Sequence, residues 1–244
     1  MSTSTPAAST VPATPSAAAD PRAFVPTTLG LGDARLRPWS LQDLDSPTLL
    51  DGLLAAAADP QIALWNPLPT ADHEAATKWL ETRAKAWSAG TLATFALLEG
   101  DPDSTNNSDS TKASDSTAST NTNNTTTDAA SPTLLGALTV RWTDRSDGLG
   151  MIGYWLLPAA RGRGLATKAT LAATDWAFRT ADVRRLEVAH AVENEASCRV
   201  AQRCGFPAEG TLRASYRFGD GQYHDEHLHA RLATDPGPGD SPRG

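Results

Sequence analysis

The run Met151-Ile152-Gly153-Tyr154-Trp155-Leu156-Leu157-Pro158, followed closely by Arg161-Gly162-Arg163-Gly164-Leu165-Ala166, decides how the rest of the chain is read. Its first part is a short apolar strand that Pro158 ends, and the residues after Ala166 are apolar at helical spacing to about Phe178. A glycine loop between a strand and a helix has a physical use. Glycines let the backbone come close to a ligand, and the first N–H groups of a helix lack partners within it, so they can bind a pyrophosphate at the positive end of the dipole. Arg161 and Arg163 add full charges. The loop by itself also admits a turn that merely starts a helix, a flexible RNA-binding tail or a dinucleotide-binding loop. Apolar, periodic flanks argue against the tail, and the third glycine and downstream acidic residue of a dinucleotide loop are not clearly present.

Working outward, the chain alternates strands and helices. Ala34 to Trp39 alternates as a strand, and Leu41 to Ala58 is apolar at helical spacing and stops at Asp59-Pro60. The prolines make Trp65-Asn66-Pro67-Leu68-Pro69 a loop. Thr70 or Asp72 caps the next helix, whose apolar stripe holds Ala76, Trp79, Leu80, Arg83 and Trp87. Strands at Leu92 to Leu98 and Leu134 to Trp142 form a hairpin, and Asp144 to Gly148 is a turn. Asn194 and Ser197 open a helix that leads to Gly205-Phe206, with Asn194 as its N-cap.

Composition bounds the remainder. A chain of 244 residues, 40% of them apolar, can bury one large core. Residues 1–33 are dominated by Ala, Ser, Thr and Pro and are expected to be a disordered tail, as is the Pro/Gly-rich stretch 235–244. Between them lies one domain, 34–234, interrupted at about 99–132 by a disordered insert of Asp, Ser, Thr and Asn. That insert carries six acidic residues against Lys112 alone, so it holds −5 of the formal net charge of −7. Net charge therefore says little about the domain's partners, and no basic stripe with interleaved aromatics suggests nucleic acid. The glycosylation-like triplets at Asn106, Asn123 and Asn124 read as products of that composition. Neither a secretory signal nor a membrane-length apolar run is seen, so a cytoplasmic protein without membrane partners is expected. Cys198 and Cys204, six apart and separated by roughly 9 Å of helical rise, are too distant to bridge.

Taken together, three blocks resemble the GNAT family of N-acetyltransferases. Arg161, Gly164 and Ala166 occupy the fixed places of its Arg/Gln-x-x-Gly-x-Gly/Ala signature, after the strand Ile152 to Leu157. The block Glu193-Asn194-Glu195-Ala196-Ser197, Val200 to Arg203, Gly205-Phe206 and Glu209-Gly210 is similar to the branch that acetylates the N-termini of ribosomal proteins. So is the stretch Asp220 to Asp225 with Leu228, Ala230, Arg231 and Leu232. The resemblance covers Ala34 to about Ala233 less the insert, and implies an α/β (α+β) fold. Its central sheet would be mixed, mostly antiparallel and splayed between two strands, with helices on both faces.

The resemblance further implies acetyl-CoA as co-substrate. The backbone of Tyr154, Trp155 and Leu156 would take the pantetheine arm, and Arg161, Gly162, Arg163, Gly164, Leu165 and Ala166 the pyrophosphate. Asn194 would adjoin the cofactor, and the Ser197 hydroxyl would help protonate the departing thiolate. The acceptor would be a peptide or protein N-terminus, or a small amine; a silent acyl-CoA-binding module is the alternative of another class. Trp65 and Asn66 fall where the fold shapes its acceptor pocket, though each also reads as a core or turn residue. Tyr216 and Asp225 are further candidates on that side, Asp225 also as a structural anchor. Two family features are missing: the tyrosine four residues before Gly205 is Ala201, and the glutamate that some relatives use as base has no match near Tyr216 and Arg217. An α-amine, titrating at about 7.7 to 8.0, needs less help to become neutral than a lysine at about 10.4, which favours it as acceptor. No metal is expected, since His190, His224, His227 and His229 show no convincing ligand spacing. A monomer or homodimer is expected.

Overall fold

A computed structural model of the protein describes residues 25–100 and 132–238. Most of the acidic insert and of both expected tails lies outside these residues. The N-terminal tail gives way to structure earlier than residue 33: β1 (Leu29–Gly30) pairs with β2 (Ala34–Pro38). Then come α1 (Pro47–Ala58), α2 (Pro60–Trp65), α3 (His73–Ser88), β3 (Leu92–Glu99), β4 (Leu134–Asp144) and β5 (Leu149–Leu156). The glycine loop leads into α4 (Leu165–Thr180), followed by β6 (Arg185–Ala191), α5 (Glu195–Arg203), β7 (Ala208–Arg217) and β8 (Tyr223–Leu232).

Two helix readings need correcting. The helix expected from Leu41 to Ala58 is a 3-10 turn at Leu41–Asp45 and then α1, because Pro47 fits only the first turn of a new helix. Asp59-Pro60, read as a stop, also starts a helix. The Asp59 carboxylate accepts from the N–H groups of Gln61 and Ile62, Pro60 takes the first helical position, and the supposed loop residue Trp65 becomes the last residue of α2. Asp72, not Thr70, caps α3; Thr70 is buried and donates to the Leu53 carbonyl.

The eight strands form one sheet in the order β1-β2-β3-β4-β5-β6-β8-β7, antiparallel except where β5 runs beside β6. Helices cover both faces. Along β3, Phe95 and Leu97 point to one core, with Trp87, Trp176 and Phe206, while Ala96 and Leu98 point to the other, with Trp39, Leu53 and Trp79. Burial on both faces explains why β3 reads as a continuous apolar run rather than an alternation. No helix among the described residues is long and apolar enough to cross a membrane.

One feature of the register positions the site. The parallel pairing of β5 with β6 runs from Leu149↔Arg185 to Met151↔Glu187 and stops, although both strands continue. Beyond that point β5 stays bonded to β4 as far as Leu156 and β6 to β8 as far as Ala191, so each strand keeps its outer neighbour while the inner edges separate.

Candidate functional site

The opening between β5 and β6 widens into a cavity of about 330 Å³, walled by β5, the glycine loop, α2 and α5. Among the described residues, its lining contains no Asp, Glu, His or Cys. Leu157 N–H donates to the Leu135 carbonyl (2.9 Å) and so sets the alternation along β5. Trp155 faces β4 with its backbone groups, while those of Tyr154 and Leu156 face the opening. Two of those groups are taken: the Tyr154 carbonyl accepts from Asn66 Nδ2 (3.3 Å) and the Leu156 carbonyl from Arg161 Nε (3.1 Å). The N–H groups of Tyr154 and Leu156, two of the three expected backbone positions, remain as donors aimed into the cavity. Trp155 contributes a buried side chain instead.

At the loop end, Gly162 (φ 75°) and Gly164 (φ 73°) are both in the left-handed region, which lets the chain turn from β5 into α4. A Cβ at either would meet nothing within 4 Å, so the concave side of the loop is open to a ligand. Lys168 is the first residue whose N–H bonds inside the helix, to the Gly164 carbonyl (3.1 Å), leaving the N–H groups of Leu165, Ala166 and Thr167 without helical partners. The arginines are placed differently from expectation. Arg161 lines the cavity, but its guanidinium is held by Asp59 (2.5 Å), which ties the loop to the start of α2. Arg163 turns to Asp33 (3.2 Å) and Glu99 (3.1 Å) and does not line the cavity. These carboxylates balance both charges, and in return Lys168 and Arg163, by their hydrogen bonds, hold the Asp33 carboxyl at about 2, below the usual carboxylate range. A guanidinium that sequence reading missed, Arg203, does line the cavity. Its signal was the spacing of Ala196, Val200 and Arg203 on one face of α5.

Facing the strand, α5 presents Ser197. Asn194 caps the helix through its side-chain oxygen, which accepts from Ser197 N–H (3.2 Å), so capping and cavity lining coincide in one residue. Tyr154 was expected to act through its backbone alone. Its side chain crosses toward α5 and places its phenol beside the Ser197 hydroxyl, short of full hydrogen-bond geometry. Burial pushes that phenol up to about 12, so it keeps its proton at neutral pH. The only hint in the sequence was the absence at position 201: Ala201 is fully buried, and a phenol from the strand stands near a helix that lacks one there.

At the opposite end, Trp65 and Asn66 line the cavity. Trp65 packs edge-to-face on Phe218 (5.6 Å between centroids) and on His224 (6.0 Å). The turn between β7 and β8 touches α2 through Gly219, whose N–H donates to the Leu64 carbonyl (2.9 Å) and where a Cβ would lie 1.7 Å from the Ala63 carbonyl oxygen. Tyr216 is not brought into the cavity; it is exposed and packs on Phe218 (5.1 Å), one ring away from Trp65. Asp225 is not brought in either. Its carboxylate accepts from Ala214 N–H (2.8 Å), steadying a β7 bulge in which Ala214 has φ 45°, so it is an anchor. His224 is flanked by Asp220 and Glu193, which raise its pKa above the ordinary histidine value.

The family model described as an acetyltransferase (GNAT) domain matches residues 34–207, and the chain belongs to that family. It is 32% identical over 92 residues to YdaF of Bacillus subtilis (strain 168), covering 38% of this chain and 50% of that protein. It is 30% identical over 99 residues to the ribosomal-protein-serine acetyltransferase of Escherichia coli (strain K12), covering 41% and 55%. The chain thus spans about half the length of the curated relatives it matches. Among solved structures, the ribosomal-protein-S5-alanine acetyltransferase of Vibrio fischeri is similar with a TM-score of 0.66 at 16% identity, over 86% of this chain and 98% of that one. RimJ of Mycobacterium smegmatis, in complex with CoA-disulfide, reaches 0.61 at 22% identity, over 87% and 91%. These solved structures share the fold of the chain.

Proposed function

We propose that the protein transfers an acetyl group from acetyl-CoA to a primary amine, and that the amine is the N-terminus of a protein or peptide. The observation that carries this reading is the opening between β5 and β6, bounded at one end by the unpaired N–H groups of α4 and at its middle by Ser197, with the buried Tyr154 phenol beside its hydroxyl. Acetyl-CoA supplies the activated thioester. The α4 N-terminus and its glycine loop hold the pyrophosphate, and the N–H groups of Tyr154 and Leu156 hold the pantetheine arm and the oxyanion that develops on the carbonyl. A neutral amine entering past Trp65 forms the new C–N bond as the C–S bond breaks; the amine gives up one proton and the sulfur takes one. Ser197 is the donor for the sulfur, and the Tyr154 phenol beside it positions and backs that hydroxyl. A lining without carboxylate or imidazole supports direct attack by an amine that is already partly neutral, which favours an α-amine over lysine.

Thiol release from acetyl-CoA tests this against free peptides beginning with Ser or Ala, the same peptides with blocked N-termini, and a set of small amines. Turnover on free peptides and none on blocked ones is expected. Turnover with small amines alone would replace the acceptor, and CoA binding without turnover on any of them would make the domain an acyl-CoA-binding module.

A further inference from the structure

Outside the cavity lining, three of the chain's five histidines meet Cys198 of α5. His227 and His229 are two residues apart on β8 and so share a face of the sheet; His190 on β6 stands opposite His227 in the register, on that same face. The His190 ring stacks on His229 (5.2 Å between centroids, 25° between planes) and meets His227 at 5.6 Å. Cys198, one residue beyond Ser197 on α5, brings its sulfur to 3.8 Å from His229 Nε2. One ligand atom from each of the four residues lies within 4.8 Å of all the others.

The hydrogen bonds around these rings fix which nitrogens are available. His190 Nδ1 is 2.8 Å from the Ala191 carbonyl and His229 Nδ1 is 3.1 Å from the Phe206 carbonyl. A carbonyl only accepts, so each Nδ1 carries the proton and each Nε2 presents a lone pair. His190 is 5% exposed, and its Nε2 is buried with no hydrogen-bond partner. An acceptor left so in a core is destabilising unless something binds it. Imidazoles with Nδ1–H donated to backbone carbonyls and Nε2 converging on a thiol have the outer-shell arrangement that orients histidines on a metal.

We propose that His190, His227, His229 and Cys198 form a tetrahedral zinc site. Three imidazoles and one thiolate suit Zn²⁺, and bond lengths of about 2.0–2.3 Å would set the ligand atoms roughly 3.3–3.6 Å apart, close to the 3.8 Å between the sulfur and His229 Nε2. The wider separations close by side-chain rotation. Binding converts the Cys198 thiol to a thiolate and releases its proton to solvent. None of the four residues lines the cavity, so the ion is structural, clamping the first turn of α5, and with it Ser197, to the β6–β8 pair. This site does not depend on the proposed acetyl transfer.

The test uses the full chain without an affinity tag, stripped with a chelator, dialysed and titrated with Co²⁺ and then Zn²⁺. One equivalent of Co²⁺ per chain is expected, with the intense visible bands of a tetrahedral ion and a thiolate charge-transfer band, all removed by Zn²⁺. Cys198→Ser should lose the charge-transfer band, and His190→Ala should bind at least about tenfold more weakly. Should His190→Ala not melt cooperatively, His227→Gln at the half-buried ligand carries the same comparison. A cooperatively melting parent chain that takes up neither ion overturns the site. So does uptake that is the same in the folded variants, or a Co²⁺ spectrum without thiolate character.

Discussion

The two ends of the cleft are built in different ways. The end proposed for the pyrophosphate comes from one short run, Gly162 to Thr167, whose two left-handed glycines and helix start are local properties of the chain. The end proposed for the acceptor joins Trp65 and Asn66, at the close of α2, to Phe218 and Gly219 at the far end of the chain, through a backbone contact that tolerates no side chain at 219. A locally encoded end fails or survives with one loop. An assembled end can be altered without touching the other, and this independence can be broken experimentally.

The largest effect is expected from Gly164→Val. Valine is strained at φ 73° and would project into the open side of the loop, so the rise in Tm that CoA gives the parent should vanish while the variant still melts cooperatively. A retained rise, followed by differential scanning fluorimetry, would take the phosphate from this loop.

Next come the hydroxyls between the two ends. Ser197→Ala and Tyr154→Phe should each lower kcat, on the order of 10- to 1,000-fold, with the CoA-dependent Tm shift intact. Because Tyr154 titrates only at about 12, parent and Tyr154→Phe should give kcat–pH profiles of the same shape and different height across the neutral range. If Ser197 only helps start α5, its replacement should cost about 1 kcal/mol of stability and leave kcat alone. Full rates in both variants would leave solvent to protonate a thiolate whose pKa near 8.5 makes it a good leaving group.

The smallest effect sharpens the comparison from the other side. Trp65→Ala should raise the acceptor KM, by about tenfold, while the CoA shift stays near that of the parent, since only the acceptor wall is altered. Equal losses at both ends, read from steady-state kinetics beside thermal shift, would show that α2 serves the whole cleft through Asp59 and Arg161.

Much of this was legible from local pattern. The strand before the loop, the helix after it, the Asn194 cap and the stripe of α3 depend on residues within a few positions of one another, where periodicity and capping chemistry act. Asp59-Pro60 shows the limit of such reading: it ends one helix and starts the next, and a stop signal and a start signal use the same residue types.

The sequence by itself therefore determined the family, the glycine loop and the residues Asn194 and Ser197 that open α5. Only the tertiary structure decided that Arg161 is bound by a carboxylate 102 positions away, that Tyr154 sends its phenol to Ser197, and that Asp225 braces a bulge rather than facing the cleft. It alone brought His190, His227 and His229 to Cys198. The physical reason is common to all four. Backbone preferences are set by neighbours along the chain, whereas the partner of a charged or polar side chain is whatever the sheet register and helix packing carry to it, at sequence separations that no periodicity records.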